Sequence, residues 1–224
     1  MEVSNRIKTI AKLIKKGSNV ADIGSDHGYL LIELLNNNIA NKVIGIENKL
    51  GPFTNLKTNL SNIIEKYPNR CKLYLSSGLK DLSNEYETVV IAGMGFSTIE
   101  SIILENKDKV KFIENFIIDS HNNMYELRKF IISLGFFISD EVALIENEIY
   151  YELISFTKGN KDYSDIELRY GPILMNKKYK DYIIHYEEEI RKLENLLSNN
   201  KINEERKTEF KNKIKEIRTI LYEN

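Results

Sequence analysis

The segment Thr88-Val-Val-Ile-Ala92 constrains the fold of this chain more than any other. It is continuously apolar and rich in β-branched residues, a pattern typical of a central parallel strand that is buried on both faces. Shorter strand-like runs occur at Val20–Ile23, Lys42–Glu47 and Phe116–Asp119, with amphipathic sequence between them. This alternation of strands and helices predicts an α/β fold with a Rossmann-like, doubly wound, mainly parallel sheet.

The rest of the first 159 residues fits the same scheme. We predict an opening helix at Ile7–Ile14, helices ending near Asn37 and spanning Phe53–Tyr67 and Met124–Leu134, a third strand at Leu73–Leu75, and closing strands at Phe136–Ile145 and Tyr150–Thr157. A hairpin through Glu146-Asn-Glu148 would join the two closing strands.

The sequence changes character after Thr157. Lys158–Ser164 is polar and typical of a linker, and Gly171-Pro172 is typical of a turn or a helix start. Apolar residues then recur at spacings of three and four from Tyr179 to Leu197 and from Phe210 to Leu221, with the polar segment 198–201 between them. We therefore predict two domains, an α/β domain over residues 1–159 and a coiled-coil-like helical hairpin domain over residues 160–224.

Composition excludes several classes of protein. The chain has 224 residues, of which 42% are hydrophobic and 29% charged, and its longest apolar runs are far too short to span a membrane. One cysteine, Cys71, and three scattered histidines argue against an internal disulfide and against a metal centre. We find no secretory signal, so the expected location is cytoplasmic, and we expect neither a membrane nor a metal as partner. A monomer is the working expectation.

The turn Asp22-Ile-Gly-Ser-Asp-His-Gly28 follows the first predicted strand. Gly24 and Gly28 suit a sharp turn in which the backbone approaches a ligand closely. A dinucleotide site would show the G-x-G-x-x-G pattern here, and Asp22 and Asp26 would repel a pyrophosphate. S-adenosylmethionine (SAM) carries a positively charged amino group and a sulfonium instead, so carboxylates favour it as the ligand.

Two further segments support a nucleoside-containing ligand. Glu47 ends the second strand, 19 residues after Gly28, where an acidic side chain can accept both ribose hydroxyls; the alternative is a solvated carboxylate. Small residues in Ile91-Ala-Gly-Met-Gly95 would leave an opening at the end of the central strand; the alternative is a tight turn without a ligand.

These segments together resemble one family. Ala21–Leu30, Gly51-Pro-Phe53 after Glu47, and Ile91–Gly95 are similar, in this order, to the bacterial tRNA (adenine(22)-N(1))-methyltransferase family, TrmK, over nearly the whole chain. The resemblance implies a class I methyltransferase domain, a coiled-coil-like domain, SAM as cofactor and tRNA as partner. It also implies transfer of the methyl group to N1 of adenosine 22, which demands a grip on the surrounding tRNA and therefore RNA binding.

Three departures from the family pattern stand out. The family has an aspartate after the third strand where this chain has Ser76-Ser77-Gly78, so a serine hydroxyl or a backbone group would replace a carboxylate contact to the SAM adenine. Phe96 follows Gly95 where the family has glycine, and it could stack on a base or pack into the core. Asp119-Ser-His121 stands where the family tends to Gln-Pro-Asn.

The candidate site residues fall into two groups, one for the cofactor and one for catalysis. We predict cofactor contacts from Asp22, Gly24, Ser25, Gly28, Glu47, Asn48, Ser77, Gly78, Ala92, Gly93 and Met94. The catalytic candidates are Asp26, His27 and Tyr29. Asp26 would stabilise the positive charge of N1-methyladenosine or would instead cap the next helix; His27 would orient the base or bond within the turn; Tyr29 would line the pocket or pack on the sheet.

The helical hairpin is the candidate for gripping tRNA, because an adenine N1 edge engaged in pairing must be exposed. Residues 160–224 hold 14 Lys and Arg against 13 Asp and Glu, so the argument rests on local clusters at Lys177/Lys178/Lys180, Arg191/Lys192 and Lys211/Lys213/Lys215. The alternative for each is a solvated helix face, and His121 and His185 are expected to be surface or packing residues. Two other functions stay open: a methyltransferase for another RNA, a small molecule or a protein, and a binding module that has lost SAM.

Overall fold

A single sheet organises the chain. The computed structural model describes residues 3–198 and 202–223. Its strands are β1 (Asn19–Ile23), β2 (Lys42–Glu47), β3 (Cys71–Leu75), β4 (Thr88–Met94), β5 (Asn115–Ser120), β6 (Phe136–Glu146) and β7 (Ile149–Lys158). Within the described residues they form a seven-stranded sheet in the order β3-β2-β1-β4-β5-β7-β6. β7 runs antiparallel to β5 and β6, and the remaining neighbours pair in parallel, so the predicted fold class is confirmed.

Helices cover both faces of the sheet. They are α1 (Asn5–Leu13), α2 (Tyr29–Asn36), α3 (Leu50–Asn59), α4 (Ser61–Lys66), α5 (Phe96–Leu104), α6 (Lys107–Val110), α7 (Met124–Ser133), α8 (Asp165–Tyr170), α9 (Pro172–Lys177), α10 (Lys180–Leu197) and α11 (Glu204–Tyr222). One apolar core lies between the sheet and α5 and α7, and a second lies between the sheet and α1, α2 and α3. β4 contributes Val89 and Ile91 to the first and Val90 to the second, which explains its continuous apolar sequence.

The prediction of one helix over Phe53–Tyr67 is wrong. The segment forms α3 and α4, separated at Leu60, whose backbone leaves helical geometry. Thr58 and Asn59 are weak helix formers at this break, and Leu60 is fully buried. Leu60 lies beside Gly28 of the first turn together with Leu56.

The C-terminal residues form helices, as expected, and α8 and α9 add two short ones that the periodicity did not indicate. Ser164 and Glu167 make a capping box that starts α8, and Pro172 starts α9. α10 and α11 pack together through a buried apolar seam and the ion pair between Arg218 and Glu194. Of the loop predicted between them, residues 199–201 lie outside the described residues. The boundary at 159/160 stays a prediction.

A buried ionic cluster joins the sheet to the C-terminal helices. Arg128 of α7 is fully buried and donates from Nε to Glu141 (2.9 Å) and from Nη2 to Glu152 (2.6 Å). Glu141 also accepts from the backbone N–H of Ile173 in α9 (2.9 Å), and Arg128 donates to the carbonyl of Leu168 in α8 (3.3 Å). Burial lowers the pKa of Arg128, but the two glutamates outweigh it and raise the pKa overall, so the side chain is a fixed charge.

The hairpin between β6 and β7 is confirmed, with Asn147 and Glu148 at positive φ in its turn. None of the helices within residues 3–198 and 202–223 is long and apolar enough to cross a membrane.

We expect Arg128→Ala to lower the free energy of unfolding by about 3–5 kcal/mol, because it leaves two buried carboxylates without their cation. Urea denaturation followed by circular dichroism measures this. Arg169→Ala is the matched control, since Arg169 pairs with Asp165 and Glu216 at the surface and should contribute below about 1 kcal/mol. Equal losses for the two variants would contradict the structural role of the cluster.

Candidate functional site

Two adjoining cavities lie at the carboxyl ends of the central strands. The first, which we call the β2 cavity, has about 540 Å³ and is lined by Ile23, Glu47, Asn48, Ser76, Ser77, Gly78, Met94, Thr98, Ser101, Ile102 and Glu105, among others. The second, the α1 cavity, has about 290 Å³ and is lined by Arg6, Ile7, Ile10, Asp22, Ser25, His27, Gly28, Tyr29 and Leu30. Gly24, Asp26, Ala92 and Gly93 line both. Each cofactor and catalytic candidate chosen from the sequence therefore lines at least one of these two cavities.

A larger cavity of about 700 Å³ lies at the opposite edge of the sheet. It is lined by residues at the amino ends of β4 and β5, such as Glu87 and Asn115, and by Lys12, Lys15 and Lys16 near the end of α1. Open α/β sheets bind ligands at the carboxyl ends of their strands, where neighbouring connections diverge. The two smaller cavities are therefore the candidate site despite their size.

Asp22 is a buried carboxylate at the end of β1. Its side chain accepts a hydrogen bond from Ser25 Oγ at 2.6 Å, and the residue is 8% exposed. Burial raises the pKa of Asp22 to about 6; the hydrogen bond from Ser25 opposes the shift and nearby Glu47 adds to it. A cationic ligand stabilises such a carboxylate, because it replaces the solvation of the negative charge that burial has removed.

The two glycines of the turn are required for different reasons. Both have positive φ, +77° at Gly24 and +73° at Gly28, which other residues rarely adopt. At Gly28 a Cβ would lie 2.8–2.9 Å from the side chains of Leu56 and Leu60. Gly28 thus permits close packing of α2 on the α3 region, whereas Gly24 belongs to the wall shared by the two cavities.

Asp26 lies between the cavities and does not cap a helix. The N-cap residue of α2 is Gly28, and no side chain in the described part of the chain caps that helix end. The Asp26 side chain is 56% exposed and lies 3.3 Å from His27 Nε2. His27 in turn stacks on Tyr29, with ring centroids 5.5 Å apart. The capping alternative for Asp26 is therefore wrong, and the three catalytic candidates form one cluster at the mouth of the site.

Glu47 is fixed by the backbone that follows it. Its Oε1 accepts from the N–H groups of Asn48 (2.9 Å) and Lys49 (3.0 Å), and the residue is 7% exposed. Glu47 and Asn48 both line the β2 cavity. The alternative of a solvated strand-end carboxylate is thereby excluded.

The serine segment after β3 also reaches the β2 cavity. Ser77 and Gly78 line it as predicted, and so does Ser76, which is absent from the predicted cofactor contacts. Ser76 Oγ donates to Asp81 at 2.6 Å, so a carboxylate stands behind the serine although none occupies the family's usual position. The spacing of five residues between Ser76 and Asp81 gives no sign of this contact.

The end of β4 forms the floor of the site. Gly93 has a φ of +77° and accompanies an irregularity in the pairing of β4 with β5. Phe96 packs edge-on against Phe130, with ring centroids 6.1 Å apart, at the border of the apolar core. Asn122 Oδ1 accepts from the N–H of Phe96 at 3.0 Å. The packing interpretation of Phe96 is therefore the one that the contacts support.

Arg6 is a site residue that the sequence patterns did not indicate. Its Nε donates to Asp119 Oδ2 at 2.6 Å, and its guanidinium lies 4.7 Å from the ring centroid of Tyr151. Asp119 is fully buried; burial raises its pKa and Arg6 counteracts part of the shift. The signal in the sequence is faint: Arg6 stands four residues before Ile10, beside the apolar stripe of α1.

Several basic residues of the hairpin have structural partners. Lys177 pairs with Asp140 (2.7 Å), Lys213 pairs with Glu189 (2.5 Å) and Arg191 Nε donates to the carbonyl of Glu187 (3.3 Å). His185 stacks on Tyr150 with ring centroids 3.8 Å apart, which is a packing role, and His121 is exposed. Lys211 and Lys215 are exposed on α11.

We expect Asp22→Asn to stabilise the protein at pH 8 by up to about 3 kcal/mol, because it removes a buried charge whose pKa is raised from 3.8 to about 6. In the wild type, the destabilisation by ionised Asp22 is fully present above the pKa of Asp22 in the folded state. It is lost as the pH falls toward the pKa of Asp22 in the unfolded state. The two proteins should therefore converge between pH 6 and pH 4. Urea unfolding across this range tests it, with exposed Asp26→Asn as control; a pH-independent difference would contradict the assignment.

Comparisons with known proteins agree with this geometry. A family model described as a methyltransferase domain matches residues 3–154. The tRNA (adenine(22)-N(1))-methyltransferase of Bacillus subtilis is 28% identical over 203 residues, which cover 88% of this chain and 84% of that protein.

Two solved structures are similar over nearly the full length. TrmK of M. capricolum, in complex with the cofactor product S-adenosyl-homocysteine, has 29% identity and a TM-score of 0.82, covering 99% of this chain and 98% of that one. A Streptococcus pneumoniae protein in complex with SAM has 28% identity and a TM-score of 0.88, covering 99% and 100%. The chain therefore belongs to the methyltransferase-domain family, and it is similar over nearly its full length to tRNA (adenine(22)-N(1))-methyltransferases.

Proposed function

We propose that this protein transfers a methyl group from SAM to N1 of adenosine 22 in tRNA. The observation that carries the proposal is the pair of connected cavities at the carboxyl edge of the sheet, with buried Glu47 in one and buried Asp22 in the other. A ligand with a ribose at one end and a cationic amino-acid arm at the other fits these two hydrogen-bond acceptors.

We assign different parts of the cofactor to the two cavities. Glu47 is positioned to accept the ribose hydroxyls, and the segment from Ser76 to Gly78 is positioned to contact the adenine. Asp22 would accept a hydrogen bond from the ammonium group, which would offset the desolvation of its carboxylate. When bound, SAM would supply an electrophilic methyl group: the N1–C bond would form as the S–C bond breaks, and S-adenosyl-homocysteine would leave.

The protein contributes orientation and charge to this reaction. Neutral adenine N1 has a free lone pair, so no base must remove a proton before attack. The product carries a positive charge, and the carboxylate of Asp26, which faces both cavities, stabilises it. His27 and Tyr29 present stacked rings beside Asp26 against which the target base can lie.

A direct test combines the purified protein, labelled SAM and unmodified tRNA. We expect incorporation of label and a primer-extension stop at adenosine 22, since N1-methylation blocks base pairing. A tRNA with guanosine at position 22 should give neither. Methylation of a different RNA, of a small molecule or of protein in place of tRNA would overturn the proposed substrate.

Asp26→Ala should lower turnover by roughly a hundredfold or more while SAM affinity stays within about threefold, because Asp26 acts on the accepting base. Calorimetry with SAM and single-turnover methylation separate the two effects. Glu33→Ala, an exchange of an acidic residue within α2, serves as the control. Equal loss of binding and turnover would make Asp26 a cofactor contact.

We further propose that residues 160–224 bind the tRNA. We also propose a cytoplasmic location, which is the location expected from the sequence and agrees with a tRNA substrate. Deleting these residues is an unsuitable test. The deletion would expose Ala143 and Tyr150, which pack on the C-terminal helices. It would also remove the backbone N–H group of α9 that donates a hydrogen bond to Glu141. Charge reversal on the exposed face of α11 avoids that damage.

Lys211→Glu combined with Lys215→Glu should raise the KM for tRNA roughly tenfold, with SAM affinity unchanged, because binding weakens when cations no longer neutralise phosphates. The dependence of tRNA affinity on salt should also become less steep. Lys15→Glu combined with Lys16→Glu changes the net charge equally at the opposite edge of the sheet and is the control. Equal effects of both pairs would indicate a response to net charge alone.

A further inference from the structure

The segment after β5 carries an exposed histidine at the rim of the candidate site. The backbone N–H of His121 donates to the carbonyl of Met94 at 3.0 Å, which fixes His121 beside the end of β4. A Cβ on Gly93 would lie 3.9 Å from His121 Nε2, so the imidazole lies over Gly93. Gly93 lines both cavities, and His121 therefore lies beside the place where they join.

An irregularity of the sheet accompanies this arrangement. The pairing of β4 with β5 shifts between Ala92 and Met94, so Gly93 is an extra residue in β4. Such a bulge bends the strand and redirects the neighbouring side chains, and bulges are common beside active sites. Because the backbone of His121 bonds to Met94, directly after the bulge, its position relative to the opening is fixed.

The neighbours of His121 in this segment already have hydrogen-bond partners. Ser120 Oγ donates to the carbonyl of Asn122 (2.8 Å), and Asn122 Oδ1 accepts from the N–H of Phe96 (3.0 Å). The side chain of His121 makes no hydrogen bond to any residue within the ranges 3–198 and 202–223. A neutral imidazole has one nitrogen that donates and one that accepts. His121 is therefore able to accept a hydrogen bond from a ligand.

Methyl transfer to adenine N1 determines which part of the base lies near this imidazole. N1 must face the methyl group of SAM, and the amino group at C6 adjoins N1 on the Watson–Crick edge. Enzymes that act on a base outside the helix read it through hydrogen bonds to that edge. Guanine carries a carbonyl oxygen at C6 in place of the amino group, so a hydrogen-bond acceptor beside C6 favours adenine over guanine.

We propose that His121 accepts a hydrogen bond from the C6 amino group of the target adenine and is a specificity-determining residue; this inference rests on the proposed function. β4 lies between β1 and β5 in the sheet. A base at the end of β4 therefore has Asp26, after β1, on one side and His121, after β5, on the other. Asp26 stabilises the charge of the product, whereas His121 recognises the base before transfer.

The test compares two tRNA substrates, one with adenosine and one with purine riboside at position 22, which differ only in the C6 amino group. Single-turnover methylation by the purified full-length protein gives a rate for each. The preference for adenosine should be roughly tenfold smaller in His121→Ala than in wild type, as expected for the loss of one hydrogen bond. The intrinsic difference in reactivity between the two bases is common to both proteins and cancels in this comparison.

Two further variants separate recognition from general damage. His121→Gln replaces Nε2 by an amide oxygen that can also accept, and it should keep most of the preference for adenosine. Glu126→Ala changes an exposed residue of α7 outside both cavities and should keep the preference entirely. The side chain of His121 is exposed, so its exchange should leave folding intact, and SAM affinity by calorimetry should stay within about threefold.

The outcomes separate the two proposals. If wild type methylates neither tRNA, the proposed function fails and this inference fails with it. If wild type methylates tRNA but His121→Ala slows both substrates by the same factor, His121 contacts another part of the tRNA. If His121→Ala changes neither rate, His121 is a solvated surface residue. Either of the last two results overturns the inference while leaving tRNA methylation intact.

Discussion

The site depends on one constraint of the sheet, the parallel pairing of β1 with β4. Val20 to Ile23 lie in register with Thr88 to Ile91, so both strands end at the same edge. The chain leaves β1 toward α2 and β4 toward α5, and the space between these connections stays open. Every residue to which we assign a catalytic or cofactor role lies at this edge.

Charge buried at that edge gives the site its chemical character. Asp22 and Glu47 are each under a tenth exposed, and the effect of burial on Asp22 is a pKa raised to about 6. The free protein thus holds a carboxylate under conditions that oppose its charge, and a cationic ligand removes that opposition. The buried charge lowers the stability of the free protein, and binding of a cationic ligand recovers part of that free energy. A solvated carboxylate would not give this preference for a cation.

Much of the fold follows from local patterns. The apolar run of β4 and the glycines of the first turn lead directly to a doubly wound sheet and to the edge that binds ligand. Contacts between distant parts of the chain are hidden from such patterns. Arg6 and Asp119 are 113 positions apart, and nothing in either neighbourhood reveals the other. The break at Leu60 is likewise not visible in the helix periodicity.

The candidate site divides in the same way. Asp22, Gly24 and Glu47 are predictable because the ends of the strands fix where these residues must lie. Ser76 is not, because its hydroxyl owes its role to Asp81 in the following loop. For Asp26, only the structure excludes helix capping, since aspartate is common both at helix caps and in active sites.

The most direct test of tRNA methylation by this protein is to digest tRNA after reaction with SAM carrying a deuterated methyl group and to identify the labelled nucleoside by mass spectrometry. We expect the label to appear in 1-methyladenosine and to map to position 22. Label in another nucleoside, or no label in tRNA while SAM is consumed, would contradict the proposed reaction.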